Sequence, residues 1–352
     1  MEFGISTGRA DTIDQIAHAE SLGFSRVWVT DSPFIRAHMF VTLAVAALRS
    51  QKIKLGTGVA VAGMRLAPDV ACGVATLNRL APGRIFCCVG TGNTAMRMMG
   101  QPPMRIGPFR DYLRVLRGLL RGEAVDYTLD GSTHSVQFLL PEQQFVALEP
   151  PVPLHVAANG PRAQALAGEF GDGLVTGIPR GSTVPEALAN VRRGAERAGR
   201  SLEGFHTAAL MNVVMLEPGE ALTSARVVAE VGPAIMTNVH YLVDWVRETG
   251  REPPPFVRPI WNDYMRFVEG LPAQNRHQVL HQNHYNALHP DEARFITPEI
   301  IRNFCLAGPP EALVEQIREL ERQGLNQITF TPPAGQWFEV IERFARRVMD
   351  KL

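Results

Sequence analysis

A (β/α)8 barrel of the TIM type, with a long and mostly helical insertion after its seventh strand, is the fold class this sequence predicts. Three observations predict it. Strand-like and helix-like runs alternate from the first residues onward, the pattern that builds a parallel sheet through right-handed crossovers. The strand candidates number eight, the tally of a closed barrel rather than an open sheet. The apolar run Ile85, Phe86, Cys87, Cys88, Val89 has no polar alternation, as expected of a strand buried on both faces.

The elements follow in order. Glu2 to Ser6 reads as the first strand, and the helical stretch after it ends near Leu22, where Gly23 stops it. Ser25 to Thr30 is the second strand, and the alanine-rich stretch Met39 to Arg49 is its helix. Ile53 to Val59 and Asp69 to Leu80 form the third unit. Arg84 to Gly90 opens the fourth, whose helix from about Pro108 to Arg121 carries Phe109, Leu113, Leu116 and Leu120 as one apolar stripe. The polar stretch Val125 to Leu148 contains Asp130-Gly131 and reads as a small hairpin excursion. Val152 to Ala158 is the fifth strand, followed by a short helix with Ala163, Leu166, Ala167 and Phe170 on one face and Gly171 at its end. Gly173 to Thr176 is the sixth strand, and Pro185 to Ala198 is its helix, with proline at a favourable first position.

His206 to Leu216 is the expected seventh strand. The last unit is a helix with Leu313, Ile317 and Leu320, then Gln327 to Thr331, then a terminal helix presenting Trp337, Ile341, Phe344 and Val348. A barrel of this type takes about 250 residues, so the surplus in Glu217 to Gly308 is an insertion. A structureless connection of that length is rare, and the expectation is a helical segment packed over the barrel mouth, with residues 1–352 forming a single domain.

Composition narrows the function classes. Apolar residues make up 45% of the chain, and no window approaches the roughly 18 consecutive apolar residues of a membrane span. Lys plus Arg equals Asp plus Glu at 35 each, so net charge gives no pull toward nucleic acid or an anionic membrane, and a small-molecule partner is expected. The start, MEFGIS, lacks the regions of a signal peptide. Cys72, Cys87, Cys88 and Cys305 show no CxxC spacing, which reads as reduced thiols in a cytoplasmic protein.

Chemistry concentrates at four strand ends, which a barrel brings to one face. Asp31 and Ser32 follow the second strand, where the acid reads either as a functional carboxylate or as an N-cap or Asx turn. Leu55-Gly56-Thr57-Gly58-Val59 ends the third. Gly90, Thr91, Gly92 and Asn93 end the fourth, with two glycines that let backbone approach a ligand. Ala158, Asn159, Gly160, Pro161 and Arg162 end the fifth and form the best phosphate cradle in the chain: a helix start with free N–H groups, proline at its first position, and an adjacent cation. A plain helix start is the competing reading of the same turn.

The pieces VWVTD (Val27 to Asp31), KLGTGV (Lys54 to Val59), ATLNRLAPGRIFCCVGTGN (Ala75 to Asn93), HVAANGP (His155 to Pro161) and GDGLVTG (Gly171 to Gly177) resemble the bacterial-luciferase-like superfamily. Within it the resemblance is to the coenzyme F420-dependent oxidoreductases that include methylenetetrahydromethanopterin reductase. It covers roughly residues 1 to 180 and the last helix unit, and leaves the insertion uncovered. The resemblance implies an oxidoreductase moving a hydride between F420 and an organic substrate, with the cofactor ring inside the carboxyl-terminal mouth. It also implies a non-prolyl cis peptide at Gly58-Val59 against the back of the ring. Gly90 to Asn93, Ala158 to Arg162 and Thr176 then line the ring edge, ribityl chain and phosphate. An FMN-dependent monooxygenase of the same superfamily is the alternative, and a flavin-binding protein without turnover is a further one. Expected partners are a flavin or F420 reductase and a second copy in a homodimer.

One departure matters. Deazaflavin members commonly carry Asp-His after the second strand, whereas this chain has Asp31-Ser32, and a serine is a poor base without a partner. His38 and a histidine of the insertion are the candidate substitutes. The insertion holds His277, His281, His284 and His289. Of these, His281 and His284 stand three apart, a spacing compatible with metal binding, with pocket lining, or with ordinary packing. No metal site is assigned, and a metal-dependent barrel hydrolase is the remaining rival.

Overall fold

Residues 1–11, 13–177 and 182–352 are described by the computed structural model. Strands β1 (Glu2–Thr7), β2 (Arg26–Val29) and β3 (Lys54–Thr57) alternate with helices α1 (Ile13–Ser21) and α2 (Met39–Arg49). A short β4 (Ala60–Val61) precedes α3 (Ala67–Leu80), and β5 (Ile85–Gly90) is followed by α4 (Asn93–Met98) and α5 (Ile106–Leu120). The hairpin β6 (Val125–Leu129) and β7 (Ser132–Val136) turns on Asp130 and Gly131, both at positive φ. Then come β8 (Leu154–Ala157), α6 (Pro161–Phe170), β9 (Gly173–Gly177), α7 (Val184–Arg197), β10 (His206–Leu210) and β11 (Asn212–Met215). Helices α8 (Ala225–Thr249), α9 (Arg258–Gly270), α10 (Arg276–Val279) and α11 (Pro298–Phe304) lead to β12 (Cys305–Gly308). The chain ends with α12 (Pro310–Arg322), β13 (Gln327–Phe330) and α13 (Trp337–Arg347).

Parallel pairing runs β3, β2, β1, β13, β10, β9, β8, β5, and β3 pairs β5 again through Leu55 with Ile85 and Gly56 with Phe86. The sheet therefore closes into the expected eight-stranded barrel. Its lower interior is filled by Trp28, Phe86, Cys88 and Ala208, with the Trp28 and Phe86 rings 4.5 Å apart at a steep angle. Glycine makes this possible: a Cβ on Gly56 would lie 2.1 Å from the Phe86 ring. Buried His155 uses the same device, since a Cβ on Gly173 would lie 2.4 Å from its Nδ1.

Several motif residues anchor this frame. Asn78 donates to the carbonyls of Ala147 and Pro150 and accepts from the Gly83 N–H, pinning the return from the hairpin. Arg84 donates to Ser50, Ile53 and Ala47, tying the start of β5 to the end of α2. Asp172 accepts from the Leu154 N–H and pairs with Arg117 and Arg200.

The expected seventh strand, His206 to Leu216, is two strands in the structure. His206–Leu210 pairs within the barrel, whereas beyond Met211 the chain leaves it and β11 pairs with β12 in a separate parallel sheet, Asn212 opposite Cys305 and Met215 opposite Gly308. The physical reason is closure: the two ends of the insertion must meet before the chain returns to α12 and β13. Above them the segment has its own apolar core, built from Val214, Ile235, Val239, Tyr264, Ile300 and their neighbours. Helix α4 also lies outside the sequence expectation, because six residues are too few to show a helical period.

Two measurements check this packing. Gly56→Ala forces a methyl into the Phe86 ring and is expected to cost about 1–3 kcal/mol in urea denaturation; an unchanged midpoint would contradict the plug. Burial, and then the positive charge of His206, holds His155 well below the ordinary histidine pKa. The unfolded chain binds that proton near pH 6.5 and the folded chain does not, so stability is full above this pH and falls on acidification, by at most about 1.4 kcal/mol per pH unit for one such group. His206 and His240 share the direction. His155→Gln is expected to make the decline between pH 7 and pH 5.5 shallower, and an identical slope would count against a buried neutral ring.

Candidate active site

A cavity of about 1680 Å³ opens above the plug, at the carboxyl ends of the strands. The four strand ends singled out from the sequence all reach it. Asp31, Ser32, Gly58, Val59, Gly90, Thr91, Gly92, Asn93, Ala158, Asn159, Gly160, Pro161, Arg162 and Thr176 line its wall. His38 does not: it is exposed at the start of α2, its Nε2 3.4 Å from Arg65 Nη2.

Asp31 is buried, and its carboxylate is fully engaged. Arg65 donates to it through Nε at 2.8 Å and Nη2 at 2.9 Å, and the Val61 N–H lies 3.3 Å from Oδ2. This pairing with Asp31 holds the Arg65 pKa above its ordinary value. The carboxylate thus fastens the segment after β3 to the end of β2. Asp31 is thus paired with Arg65 while it lines the same cavity wall. In the fastened segment the Gly58-Val59 peptide is cis, and a Cβ on Gly58 would sit 2.6 Å from Trp28 Cβ.

At the end of β5, Gly92 has φ 86° and a Cβ there would meet Val61 at 2.3 Å, so both backbone and space require glycine. Asn93 accepts from Arg97 Nε at 2.6 Å, and Arg97 pairs with Asp244 and Glu248 of α8, docking α4 against the insertion. At the end of β8, Asn159 Oδ1 accepts from the Gly177 N–H at 2.8 Å and lies 3.3 Å from the Thr176 hydroxyl. Its amide therefore locks one turn to the next strand. Gly160 caps α6 without a side-chain hydrogen bond, Pro161 occupies the first turn, and a Cβ on Gly160 would meet nothing within 4 Å. First-turn N–H groups are left to face the opening beside exposed Arg162, which pairs with no carboxylate among the described residues.

The insertion contributes Tyr241, His284, Tyr285 and Asn286 to the wall. Buried His284 places Nε2 3.2 Å from Thr94 Oγ1 and 3.2 Å from the Tyr241 hydroxyl, and those two hydroxyls are hydrogen-bonded to each other. His281 turns away, its Nε2 3.3 Å from Asp244 Oδ2, and His289 accepts from the Asp291 N–H. Among the described residues no group of three His, Cys, Asp or Glu side chains is placed to hold a metal ion. Sequence reasoning missed Thr94, Tyr241 and Arg36. Thr94 was adjacent to a named turn, while Tyr241 lay in a stretch with no local signal.

The fold and site define a closed (β/α)8 barrel with one large cavity at its carboxyl-terminal mouth, where glycine turns, a helix start and a hydroxyl-imidazole cluster meet. A profile of the luciferase-like monooxygenase family matches residues 4–327, and the chain belongs to that family of oxidoreductases. It is 25% identical, over 90% of its length and 88% of the relative's, to 5,10-methylenetetrahydromethanopterin reductase of Archaeoglobus fulgidus. The corresponding Methanolobus tindarius enzyme is 32% identical over 59% of this chain, a match spanning 64% of that relative. An F420-dependent glucose-6-phosphate dehydrogenase of Nocardia farcinica is 25% identical over 98% of this chain and 94% of its own length. Among solved structures, coenzyme F420-dependent tetrahydromethanopterin reductase of Methanopyrus kandleri superposes with a TM-score of 0.70 at 20% identity, covering 99% of both chains. The oxygenating constituent of 3,6-diketocamphane monooxygenase from Pseudomonas putida, in complex with FMN, gives 0.62 at 16%, covering 100% of this chain and 99% of its own. These structural likenesses carry the fold. No helix of the described residues is long and apolar enough to cross a membrane.

The Asp31 clamp has a direct test. Asp31→Ala and Arg65→Ala are each expected to destabilise by about 3 kcal/mol, and a double-mutant cycle should return a coupling of about 1–3 kcal/mol. Strictly additive losses would show that the two side chains do not act together.

Proposed function

We infer that this protein transfers a hydride between coenzyme F420 and a small organic substrate, both held in the barrel mouth. One observation carries this: glycine turns, the uncapped start of α6 with Arg162, and the His284 cluster share a single cavity. At about 1680 Å³ that cavity exceeds the roughly 300–1,000 Å³ of a site for one drug-sized ligand, and so accommodates a cofactor beside a substrate. The residues present fit the group. Open space in front of Gly160 and a first turn without a side-chain cap suit a phosphorylated tail, and Val59, Gly90 and Ala157 offer a smooth wall to a flat ring.

When bound, F420 supplies the carbon that gives or takes the hydride. The chain does the rest. Gly58, Val59 and Gly90 present backbone and aliphatic surface to the ring, Thr91 to Asn93 its edge, and Ala158 to Arg162 with Thr176 the tail. His284 Nε2, in contact with the Thr94 and Tyr241 hydroxyls on the same cavity wall as Ser32, holds or releases a proton in the role that a serine after Asp31 fills poorly. Ser32 remains on the wall as a hydrogen-bonding hydroxyl. Residues 217–308 cover the mouth as part of one domain, which helps exclude water.

The proposal includes a homodimer, supported by the exposed apolar side chains Val41, Leu48, Leu66 and Leu80 on and beside α2 and α3. It also includes a cytoplasmic setting, supported by four unpaired cysteines, and a reductase that reloads the cofactor. A reduced-flavin monooxygenase is the second reading, favoured by the family match and the FMN-bound structural neighbour.

Purified protein titrated with F420 and with FMN, with oxygen uptake followed after reduction, separates the two. Tight F420 binding that weakens about tenfold or more in Arg162→Gln is expected. Oxygen consumption with reduced FMN and no F420 binding would overturn the reading. With a substrate that supports F420 reduction, His284→Gln is expected to lower kcat by about 10²–10⁴ while cofactor affinity is kept; an unchanged kcat would remove His284 from proton handling.

A further inference from the structure

Arg36 lies between Ser32 and α2 and lines the cavity. Its stem crosses the backbone of Gly8, where a Cβ would come within 2.1 Å of Arg36 Cδ, and the Ala37 N–H donates to the Gly8 carbonyl. Glycine at that point is what lets the side chain lie down along the wall. The guanidinium donates through Nη1 to the Ile35 carbonyl at 2.8 Å and through Nη2 to the His284 carbonyl at 2.9 Å. Three of its five N–H donors are left, and no carboxylate among the described residues pairs with it. Burial pushes its pKa down, with only Tyr241 acting in the opposite sense.

The other charged side chains among the described residues of the cavity are accounted for. Arg9 pairs with Asp11, Asp31 pairs with Arg65, and Asp14 is exposed at the rim. Among the described residues of the wall, two cations remain without a counter-anion, Arg36 and Arg162. They stand at the ends of β2 and β8, three strands apart around the ring, so one anionic group cannot be assumed to serve both. Arg162 has the α6 N-terminus beside it, suited to a phosphate. Arg36 instead donates to the His284 backbone carbonyl and feels the Tyr241 hydroxyl, neither of which carries a fixed positive charge.

We propose that Arg36 anchors the carboxylate of a monoanionic organic substrate, holding it beside the His284, Tyr241 and Thr94 cluster. The assignment rests on the reading of the cavity as a cofactor-plus-substrate site. A single guanidinium offset by one carboxylate leaves the half-buried site neutral, whereas a dianionic phosphate leaves it negative. The planar fork of remaining donors also matches a carboxylate geometrically. Because Nη2 is tied to the His284 backbone, the same contact sets the distance between the anchored group and the proton-handling imidazole.

Benzoate and its neutral analogue benzamide test this on the full chain, with and without F420, by calorimetry and thermal shift. Benzoate is expected to bind at least tenfold more tightly than benzamide to the F420-loaded protein. Arg36→Gln is expected to erase the preference, while Arg162→Gln keeps it and weakens F420. Arg36→Lys, which keeps the charge and loses the fork, is expected to retain the preference with severalfold weaker benzoate binding; this variant also decides the matter if the glutamine variant does not fold. Equal binding of the two probes, an intact preference in Arg36→Gln, or unchanged benzoate affinity in Arg36→Lys would overturn the proposal. So would inorganic phosphate displacing benzoate more strongly than acetate does, or F420 affinity falling as far in Arg36→Gln as in Arg162→Gln. An Arg36-dependent benzoate preference in protein that binds no F420 would sink the cofactor reading and leave the carboxylate anchor standing.

Discussion

Closure of the barrel between β3 and β5 is the constraint on which everything else depends. It rests on two residue pairs, Leu55 with Ile85 and Gly56 with Phe86, and the second exists because glycine leaves room for the phenylalanine ring. With the circle closed, the interior below is plugged by Trp28, Phe86, Cys88 and Ala208, and strand ends far apart in sequence share one rim. Without it Asp31, Val59, Asn93 and Asn159 would not face a common space.

Within that rim, polar side chains divide their labour. Asp31 with Arg65, Asn159 with Gly177, and Asn93 with Arg97 spend their hydrogen bonds on holding turns in place. Among the described residues the cations Arg36 and Arg162 pair with no carboxylate, and the start of α6 and the hydrogen-bonded His284, Tyr241 and Thr94 cluster line the same cavity. Preorganisation of this kind means that a ligand meets donors already aimed, with little ordering left to do on binding.

The barrel was legible in the sequence because parallel strands buried on both faces leave unbroken apolar runs and glycine turns follow them. The four converging turns were legible for the same reason. Asp31 lies on the cavity wall as its place after the second strand implies, while its pairing with Arg65 has no local mark in the sequence. The seventh strand is shorter than the expected His206 to Leu216 because the β10 to β11 break is set by pairing with Cys305 to Gly308, about ninety residues further on. His284 was one of four histidines with no local mark to separate it, and Tyr241 and Arg36 reach the cavity only through the tertiary course of the insertion and of the Gly8 backbone.

The central claim is that one mouth holds a redox cofactor by its ring and its anionic tail. Crystals of the protein grown with F420 test it most directly. The account predicts difference density for the cofactor inside this cavity, with its phosphate against Gly160, Arg162 and the start of α6. Density on another surface, or an empty mouth at saturating F420, would contradict it.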